Sequence, residues 1–386
     1  MTSTTTIRLA VTGGGTGGHT YPALTTINTI RTTLAARDTD LDVTWYGTPT
    51  GLEARVAADA GIRFRTIATG KVRRSLNPKA LASTTVDLAK VPAGLGQAVA
   101  ELRRLRPHVV LSTGGYVAVP LGLAARLTGA PLVMHEQITT LGLANRILAR
   151  GATAIALSHA TSLEALPPAA RQRAVVTGNP VRPALFDGDP AAAHRAHQLD
   201  PDTPLVYVTG GAQGSAQINR LITDNLQYLL PHCQILHQCG AANHEQLKQK
   251  TAGLAPEHAR RYRLVPYVSD GLADILAAAD IVISRSGAGT LAELTAIGKP
   301  SILIPLIPTA GQEQLRNAQT LQTAGAALCL DSTTATPGGL RDALLPLLKD
   351  PDRRQAMARA ARTAGQPDAA QRLADLVVTT ALRPTR

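Results

Sequence analysis

Short apolar runs rich in β-branched residues recur along the chain, separated by longer stretches of helical periodicity. In the first half they fall at 7–12, 41–46, 63–67, 108–113, 131–135, 153–157 and 174–177. Continuous apolar runs of this length, alternating with helical patterns, predict strands of a parallel sheet covered on both faces. Between two of them Leu95, Val99, Leu102 and Leu105 recur at helical spacing, with Glu101, Arg103, Arg104 and Arg106 elsewhere on the turn. That helix should bury one stripe.

The rhythm breaks at Gly178-Asn179-Pro180, crosses a stretch rich in Pro, Asp and Ala, and restarts at 205–209. A second series follows at 233–238, 262–265, 280–284, 301–305 and 326–330. The 386 residues suit two domains rather than one core. The expected class is therefore α/β, with two Rossmann-like doubly wound domains, the first over 1–179 and the second over 180–360. Residues 361–386 are expected to form a C-terminal helix, with Pro367 ahead of Leu373, Leu376 and Val377, that could pack back on the first domain.

Composition narrows the partners. Hydrophobic residues make up 44% but aromatics only 3%, so the core is built mainly from Ala, Leu, Val and Ile. The 39 basic and 27 acidic residues give a net charge of +12, which favours an anionic partner: nucleic acid, a phosphorylated substrate or an acidic membrane face. No basic run interleaved with aromatics and no nucleic-acid reading motif is present, so nucleic acid is not expected. Cys233, Cys239 and Cys329 lack C-x-x-C spacing and a pairing with His, and read as reduced thiols of a cytoplasmic protein. The first residues lack a basic segment followed by an apolar run, and no stretch reaches the ~18 apolar residues of a membrane span. A soluble or peripheral chain is expected. The pairs Asp38/Asp40, Asp40/Asp42 and Asp187/Asp189 read as solvated loop acids, and no metal is expected.

Each half opens with strand, glycine-rich turn and helix. Gly13, Gly15 and Gly18 fit G-x-G-x-x-G, the dinucleotide fingerprint, but the next strand ends Tyr46-Gly47-Thr48, without an acid for a ribose or an Arg for a 2′-phosphate. A dinucleotide is therefore not expected. His19, at the exit of the loop, is either a helix-start packing group or a general base, since an imidazole titrates near ~6.5. Further glycine turns lie at 112–117 and 210–215. Glycine lets a backbone approach a ligand and present amides to anionic oxygens. Three such loops around one interdomain cleft exceed what turn geometry requires. In 284–293, small residues after a strand expose a helix start suited to a diphosphate. Glu293 there is either a solvated helix glutamate or a partner for ribose hydroxyls, with Leu291, Leu294 and Ile297 as the packing stripe.

Together GGGTGGHTYP (13–22), STGGYVAVPLGLAA (112–125), HEQ (135–137), GLAN (142–145), GNPVR (178–182), GGAQGS (210–215) and RSGAGTLAEL (285–294) resemble the MurG family of glycosyltransferases, glycosyltransferase family 28. The resemblance implies a GT-B fold, two Rossmann-like domains facing an interdomain cleft, with the acceptor on the first and the UDP-sugar mainly on the second. It implies inverting, metal-independent transfer of N-acetylglucosamine from UDP-GlcNAc to the C4 hydroxyl of undecaprenyl-pyrophosphoryl-MurNAc-pentapeptide, lipid I to lipid II. No cofactor is implied, and the place of action is the cytoplasmic face of the bacterial membrane. By the same resemblance His19 is the base, and Thr16, Gly17 and Gly18 lie at the sugar and diphosphate. Arg182, Ala212, Val268, Ala288, Gly289, Thr290, Leu291 and Glu293 surround the nucleotide, with Glu293 on the ribose, and Gln314 holds sugar hydroxyls. Gly14, Gly15, Gly114, Gly115, Tyr116, His135 and Glu136 face the acceptor.

Two positions depart from the pattern. Ile138 stands where HEQN has a sugar-binding Asn, and an alkyl group cannot donate that bond, a loss of ~1–3 kcal/mol if its partner stays buried and unpaired. Ala212 is the third residue of GGSQG, where loop amides or Ser215 could substitute. Lys71, Arg73, Arg74, Lys79 and Lys90, with Val72, Leu76, Leu81 and Leu88, form either a face against anionic lipid or a solvated basic face. Two other readings stay open: a transferase with another lipid acceptor such as a diacylglycerol, and a non-catalytic UDP-sugar-binding protein.

Overall fold

The computed structural model describes residues 5–70, 78–268, 270–307 and 312–383. The chain forms two compact units, Met1–Val181 with Asp368–Arg386, and Arg182–Pro367.

In the first unit, among the described residues, seven strands form one parallel sheet: β1 (Thr5–Thr12), β2 (Thr39–Gly47), β3 (Arg63–Thr66), β4 (Val109–Ser112), β5 (Leu132–Glu136), β6 (Ala154–Leu157) and β7 (Ala174–Val176). Their order is β3-β2-β1-β4-β5-β6-β7. Side chains alternate across a strand, so each apolar run feeds two cores. Ile7, Leu9, Val11, Val109 and Leu111 join one cluster, while Ala10 and Val110 join another on the opposite face. The helix Pro78–Leu105 covers that second face, with Leu102 buried and Leu95, Val99 and Leu105 packed against it, as the spacing predicts. The helix Ala369–Ala381 lies on the first face against Gly17–Ala35, and Leu373, Ala374, Val377 and Val378 complete the cluster.

In the second unit, among the described residues, six strands form the other parallel sheet: β8 (Leu205–Thr209), β9 (Gln234–Gln238), β10 (Tyr262–Val265), β11 (Ile281–Ser284), β12 (Ser301–Leu303) and β13 (Ala327–Cys329), in the order β10-β9-β8-β11-β12-β13. Its core joins Val206, Val208, Ile235, Ile281 and Ile283 with Leu340, Leu344 and Leu347 of the helix Pro337–Lys349.

Strand order reverses between β1 and β4 in the first unit and between β8 and β11 in the second. In open α/β sheets, ligands bind beyond the carboxyl ends of the strands at such a reversal. The glycine turns 13–18 and 112–117 flank the first reversal, and 210–215 and 285–288 flank the second.

The acidic pairs are not all loop residues. Asp40 and Asp42 lie within β2, where pairing to β1 begins at Thr39, and Asp42 pairs with Arg63 at 3.2 Å. Asp189 caps the helix Pro190–His197 by accepting from the Ala191 amide. Among the described residues no group of three or more His, Cys, Asp or Glu could hold a metal ion. Cys233 and Cys239 are buried free thiols, and burial pushes the Cys233 thiol up to about 12. Lys71, Val72, Arg73, Arg74 and Leu76 lie outside the described residues, as do the side chains of Lys79, Leu81, Leu88 and Lys90.

Candidate functional site

The first unit brings two glycine turns into contact. The Thr113 amide donates to the Thr12 carbonyl at 2.9 Å, and its hydroxyl donates to the His19 carbonyl at 2.8 Å. A Cβ at Gly115 would stand 2.5 Å from the Gly14 carbonyl, and one at Gly15 would stand 3.0 Å from the Tyr116 ring. Both glycines also have positive φ, 83° and 80°. Only glycine allows both the conformation and the approach.

Glu53 holds this loop from below. Its carboxylate, fully buried, accepts from the Gly15 amide at 3.1 Å, the Thr48 amide at 3.0 Å and the Thr48 hydroxyl at 2.7 Å. Burial would raise its pKa, but these hydrogen bonds outweigh it and hold the carboxyl below the usual value. Sequence reading missed Glu53, which stands six residues past the end of β2 in a helix turn. The structure thus does place an acid beside the fingerprint loop. Its oxygens accept three bonds from the protein itself and the side chain is fully buried, so it is not presented to a ribose as the fingerprint's acid would be.

His19 sits in the first turn of the helix Gly17–Ala35, which starts at Thr16 without a side-chain cap. His19 Nδ1 lies 2.8 Å from the Thr113 carbonyl and 2.8 Å from Gln137 Oε1. Nε2 has no hydrogen bond among the described residues. Burial lowers the His19 pKa, with the two hydrogen bonds acting the other way, so the neutral ring is favoured at pH 7. The atoms flanking Nε2 face the second glycine turn: a Cβ at Gly114 would stand 3.3 Å from Cε1, and one at Gly115 3.3 Å from Cδ2.

His135 and Glu136, expected at the acceptor, are engaged by the protein's own groups. Both are buried. His135 Nε2 lies 3.1 Å from the Gly178 carbonyl and 3.2 Å from Ser158 Oγ, and burial lowers the ring to about 4. Glu136 accepts from the Ile138 amide at 3.2 Å, the Gly142 amide at 3.1 Å and Asn145 Nδ2 at 2.9 Å. It fixes the loop that carries Ile138, whose side chain is half-buried.

In the second unit Arg182 and Glu293, 111 residues apart, form an ion pair. Glu293 Oε1 lies 2.9 Å from Arg182 Nη2 and 3.0 Å from Nε. Burial raises the Glu293 pKa, and Arg182 opposes that shift. Glu293 belongs to the helix Ala288–Ala296, which begins at Gly287 without a side-chain cap and has no acidic residue in its first turn. Its first amides are therefore suited to an anion. Ala288, Gly289 and Thr290 are half-buried at that start. The Leu291 side chain packs in a core cluster with Leu303, Ala318 and Ala327, while its backbone belongs to the first turn of this helix.

Around this helix start, Arg285 donates to Ser215 Oγ at 2.7 Å, to Gln217 Oε1 at 2.9 Å and to the Ile304 and Pro305 carbonyls, joining three strand-end loops. Gln238 links the turn of exposed Ala212 to Val268, donating to the Gly211 carbonyl at 3.1 Å and accepting from the Val268 amide at 3.1 Å. Gln314 accepts from the Leu306 amide at 3.0 Å through Oε1, and its carbonyl accepts from Ser286 Oγ at 2.7 Å. Sequence reading named Ala212, Val268 and Gln314 but missed Gln238, which ties the Ala212 turn to Val268, and Arg285, which ties the neighbouring strand-end loops together. Only their places at the ends of β9 and β11 signalled a role.

Residues 9–157 match the family model of the glycosyltransferase family 28 N-terminal domain, and residues 205–373 match that of the C-terminal domain. Among relatives, a UDP-N-acetylglucosamine–N-acetylmuramyl-(pentapeptide) pyrophosphoryl-undecaprenol N-acetylglucosamine transferase from Desulforudis audaxviator is 36% identical over 98% of this chain and 100% of its own. One of the same name from Paenarthrobacter aurescens is 38% identical over 96% of each. The crystal structure of Acinetobacter baumannii MurG superposes with a TM-score of 0.73 at 27% identity, covering 97% of this chain and 99% of that one. A UDP-GlcNAc 2-epimerase from Neisseria meningitidis shares the fold alone, with a TM-score of 0.64 at 15% identity over 98% of this chain and 100% of its own. The two doubly wound units are those of the GT-B fold. Two domain matches in order along the sequence, the first reaching from β1 to β6 and the second spanning the whole six-stranded sheet, show that the chain belongs to glycosyltransferase family 28.

Proposed function

We propose that the chain transfers N-acetylglucosamine from UDP-GlcNAc to the C4 hydroxyl of undecaprenyl-pyrophosphoryl-MurNAc-pentapeptide, with inversion. The observation that carries the mechanism is the His19 ring, whose Nδ1 faces two oxygen acceptors while Nε2 is left without a partner among the described residues. Nε2 takes the proton of the C4 hydroxyl as its oxygen forms a bond to C1 of the sugar, and the C1–oxygen bond to the diphosphate breaks on the opposite face. UDP leaves with that electron pair, and the proton passes from His19 to solvent. A general base contributes ~10²–10⁴-fold to such a step.

The second unit holds the donor. Glu293, oriented by Arg182, takes the ribose, and the start of the helix Ala288–Ala296 takes the diphosphate, stabilising the charge that develops on it. Ala212, Val268 and Gln314 line the nucleotide and sugar. From the first unit, Thr16, Gly17 and Gly18 are assigned in this reading to the sugar and diphosphate, and Gly14, Gly15, Gly114, Gly115 and Tyr116 to the acceptor. The acceptor's lipid puts the reaction at a membrane surface, which the reading takes to be the cytoplasmic face. No helix among the described residues is long and apolar enough to cross a membrane. Leu143 and Ile147, 51% and 37% exposed beside exposed Arg146 and Arg150, suit contact with an anionic lipid surface.

The test is transfer of radiolabelled sugar from UDP-GlcNAc to a short-chain lipid I analogue, with a diacylglycerol as competitor. The reading expects labelled lipid II analogue and no effect of the competitor. Transfer to the diacylglycerol instead would move the chain to another acceptor class. UDP-GlcNAc binding with no transfer to either would make it a binding protein. Sedimentation with vesicles containing anionic lipid tests the surface, and equal sedimentation after Leu143→Ser with Ile147→Ser would remove it from the account.

A further inference from the structure

The bond network behind His19 leaves one arrangement of its protons. The Thr113 carbonyl accepts from both sides: His19 Nδ1 stands 2.8 Å away and Gln137 Nε2 2.7 Å away. A carbonyl oxygen has no proton to give, so both nitrogens must donate. That fixes the Gln137 amide with its nitrogen on Thr113 and its oxygen, Oε1, 2.8 Å from His19 Nδ1. Flipping the amide would set its NH2 against the Nδ1 proton and its oxygen against the Thr113 carbonyl, two repulsive contacts in place of two bonds. Behind Gln137, the Gly178 carbonyl lies 3.1 Å from His135 Nε2 and calls for the proton there, which leaves His135 Nδ1 bare, 3.4 Å from Gln137 Nε2. Gln137 and His135 are 3% and 0% exposed, so water does not compete for these positions.

We propose that Gln137 is a positioning residue that locks His19 in the tautomer with the proton on Nδ1 and the lone pair on Nε2. This rests on the reading of His19 as the base. Imidazole in water favours the opposite tautomer, which would turn a proton-bearing Nε2 toward the substrate hydroxyl and leave no lone pair to accept. Thr113 supplies one fixed acceptor, and Gln137 supplies the second while being held by the same carbonyl. The side chain thus couples the ends of β4 and β5 to the first turn of the helix after β1. A loss of tautomer control at a base lowers kcat and leaves donor binding in the second unit unchanged.

The titratable neighbours of His19 are few. His135 and His159 lie beyond Gln137, both lowered by burial and neutral at pH 7. Glu53 is engaged by the Gly15 and Thr48 amides, and Glu136 by the Ile138 and Gly142 amides. A carboxylate placed at 137 would therefore be the first anion against Nδ1.

The experiment uses the full chain labelled with ¹⁵N-histidine and reads the two ring nitrogens of His19 by long-range ¹H–¹⁵N correlation. His19→Ala identifies the signals. Wild type should show a protonated Nδ1 and a bare Nε2 at pH 7. Gln137→Met should shift the ring toward a tautomer mixture and lower kcat by roughly 10²-fold with the UDP-GlcNAc Kd unchanged. Gln137→Glu should move the acid limb of the pH–rate profile upward, because an anion at Nδ1 favours the charged ring. A protonated Nε2 in wild type, or an unshifted tautomer in Gln137→Met, would overturn the proposal. Full kcat in His19→Ala, with the wild-type tautomer as described, would instead overturn the base reading alone.

Discussion

Replacing Glu53 by alanine removes the carboxylate under the fingerprint loop. It deletes three bonds at once: from the Gly15 amide, the Thr48 amide and the Thr48 hydroxyl. Hydrogen bonds to a charged group contribute ~1.5–3 kcal/mol each, but three on one carboxylate do not add fully. Gly15 is exposed and Thr48 half-buried, so water replaces part of the loss, and ~2–4 kcal/mol is expected. For a unit of this size that lowers Tm by roughly 5–15 °C. Glu53→Gln keeps the shape and one oxygen but sets an NH2 against amide donors, and should cost about half as much. The sign with pH follows from the lowered carboxyl: the stabilisation is present above its unfolded value near ~4.5 and is lost as pH falls through the folded value. Thermal melts followed by circular dichroism at pH 7 and at stepwise lower pH read both effects. If Glu53→Ala melts within about 1 °C of wild type at pH 7, the carboxylate does not hold the loop.

The remaining predictions concern other charges. Arg182→Ala should weaken UDP binding about tenfold, ~1.4 kcal/mol, and a double-mutant cycle with Glu293→Ala should give a coupling above ~0.5 kcal/mol by calorimetry. Strictly additive losses would mean that the ion pair does not orient the ribose partner. His135 binds a proton in the unfolded chain near ~6.5 but in the folded protein only near about 4, so its neutral form stabilises the fold above ~6.5 and that contribution is lost as pH falls toward 4. His135→Phe should flatten the loss of Tm over that window, and an unchanged slope would contradict the account.

Strands were the most legible part of the fold because most parallel strands are buried on both faces and written as apolar runs; all thirteen expected runs pair in sheets, β3 among them although it reads RFRT and is largely exposed. β2 shows the limit of that signal. It starts at Thr39 and carries Asp40 and Asp42 before its buried end, where a polar start reads as loop. His19 and the glycine turns were legible because a titratable ring and positive-φ residues leave local marks. Glu53 was not, since GLEA has the pattern of any helix start and only the fold brings it to Gly15. Arg182 and Glu293 were each visible as candidates, but their pairing depends on contacts across 111 residues of sequence. Gln137 stood in a quoted motif without a role, because an amide's function depends on which way its two ends face.

The central claim is that His19 supplies the base while the second unit holds the donor. Single-turnover transfer by His19→Ala to a short-chain lipid I analogue, alongside calorimetric UDP-GlcNAc binding, tests it most directly. The account predicts that the chemical step slows by ~10²–10⁴-fold while the donor Kd stays within about twofold of wild type. A wild-type rate of transfer, or a donor Kd weakened in proportion to the rate, would contradict it.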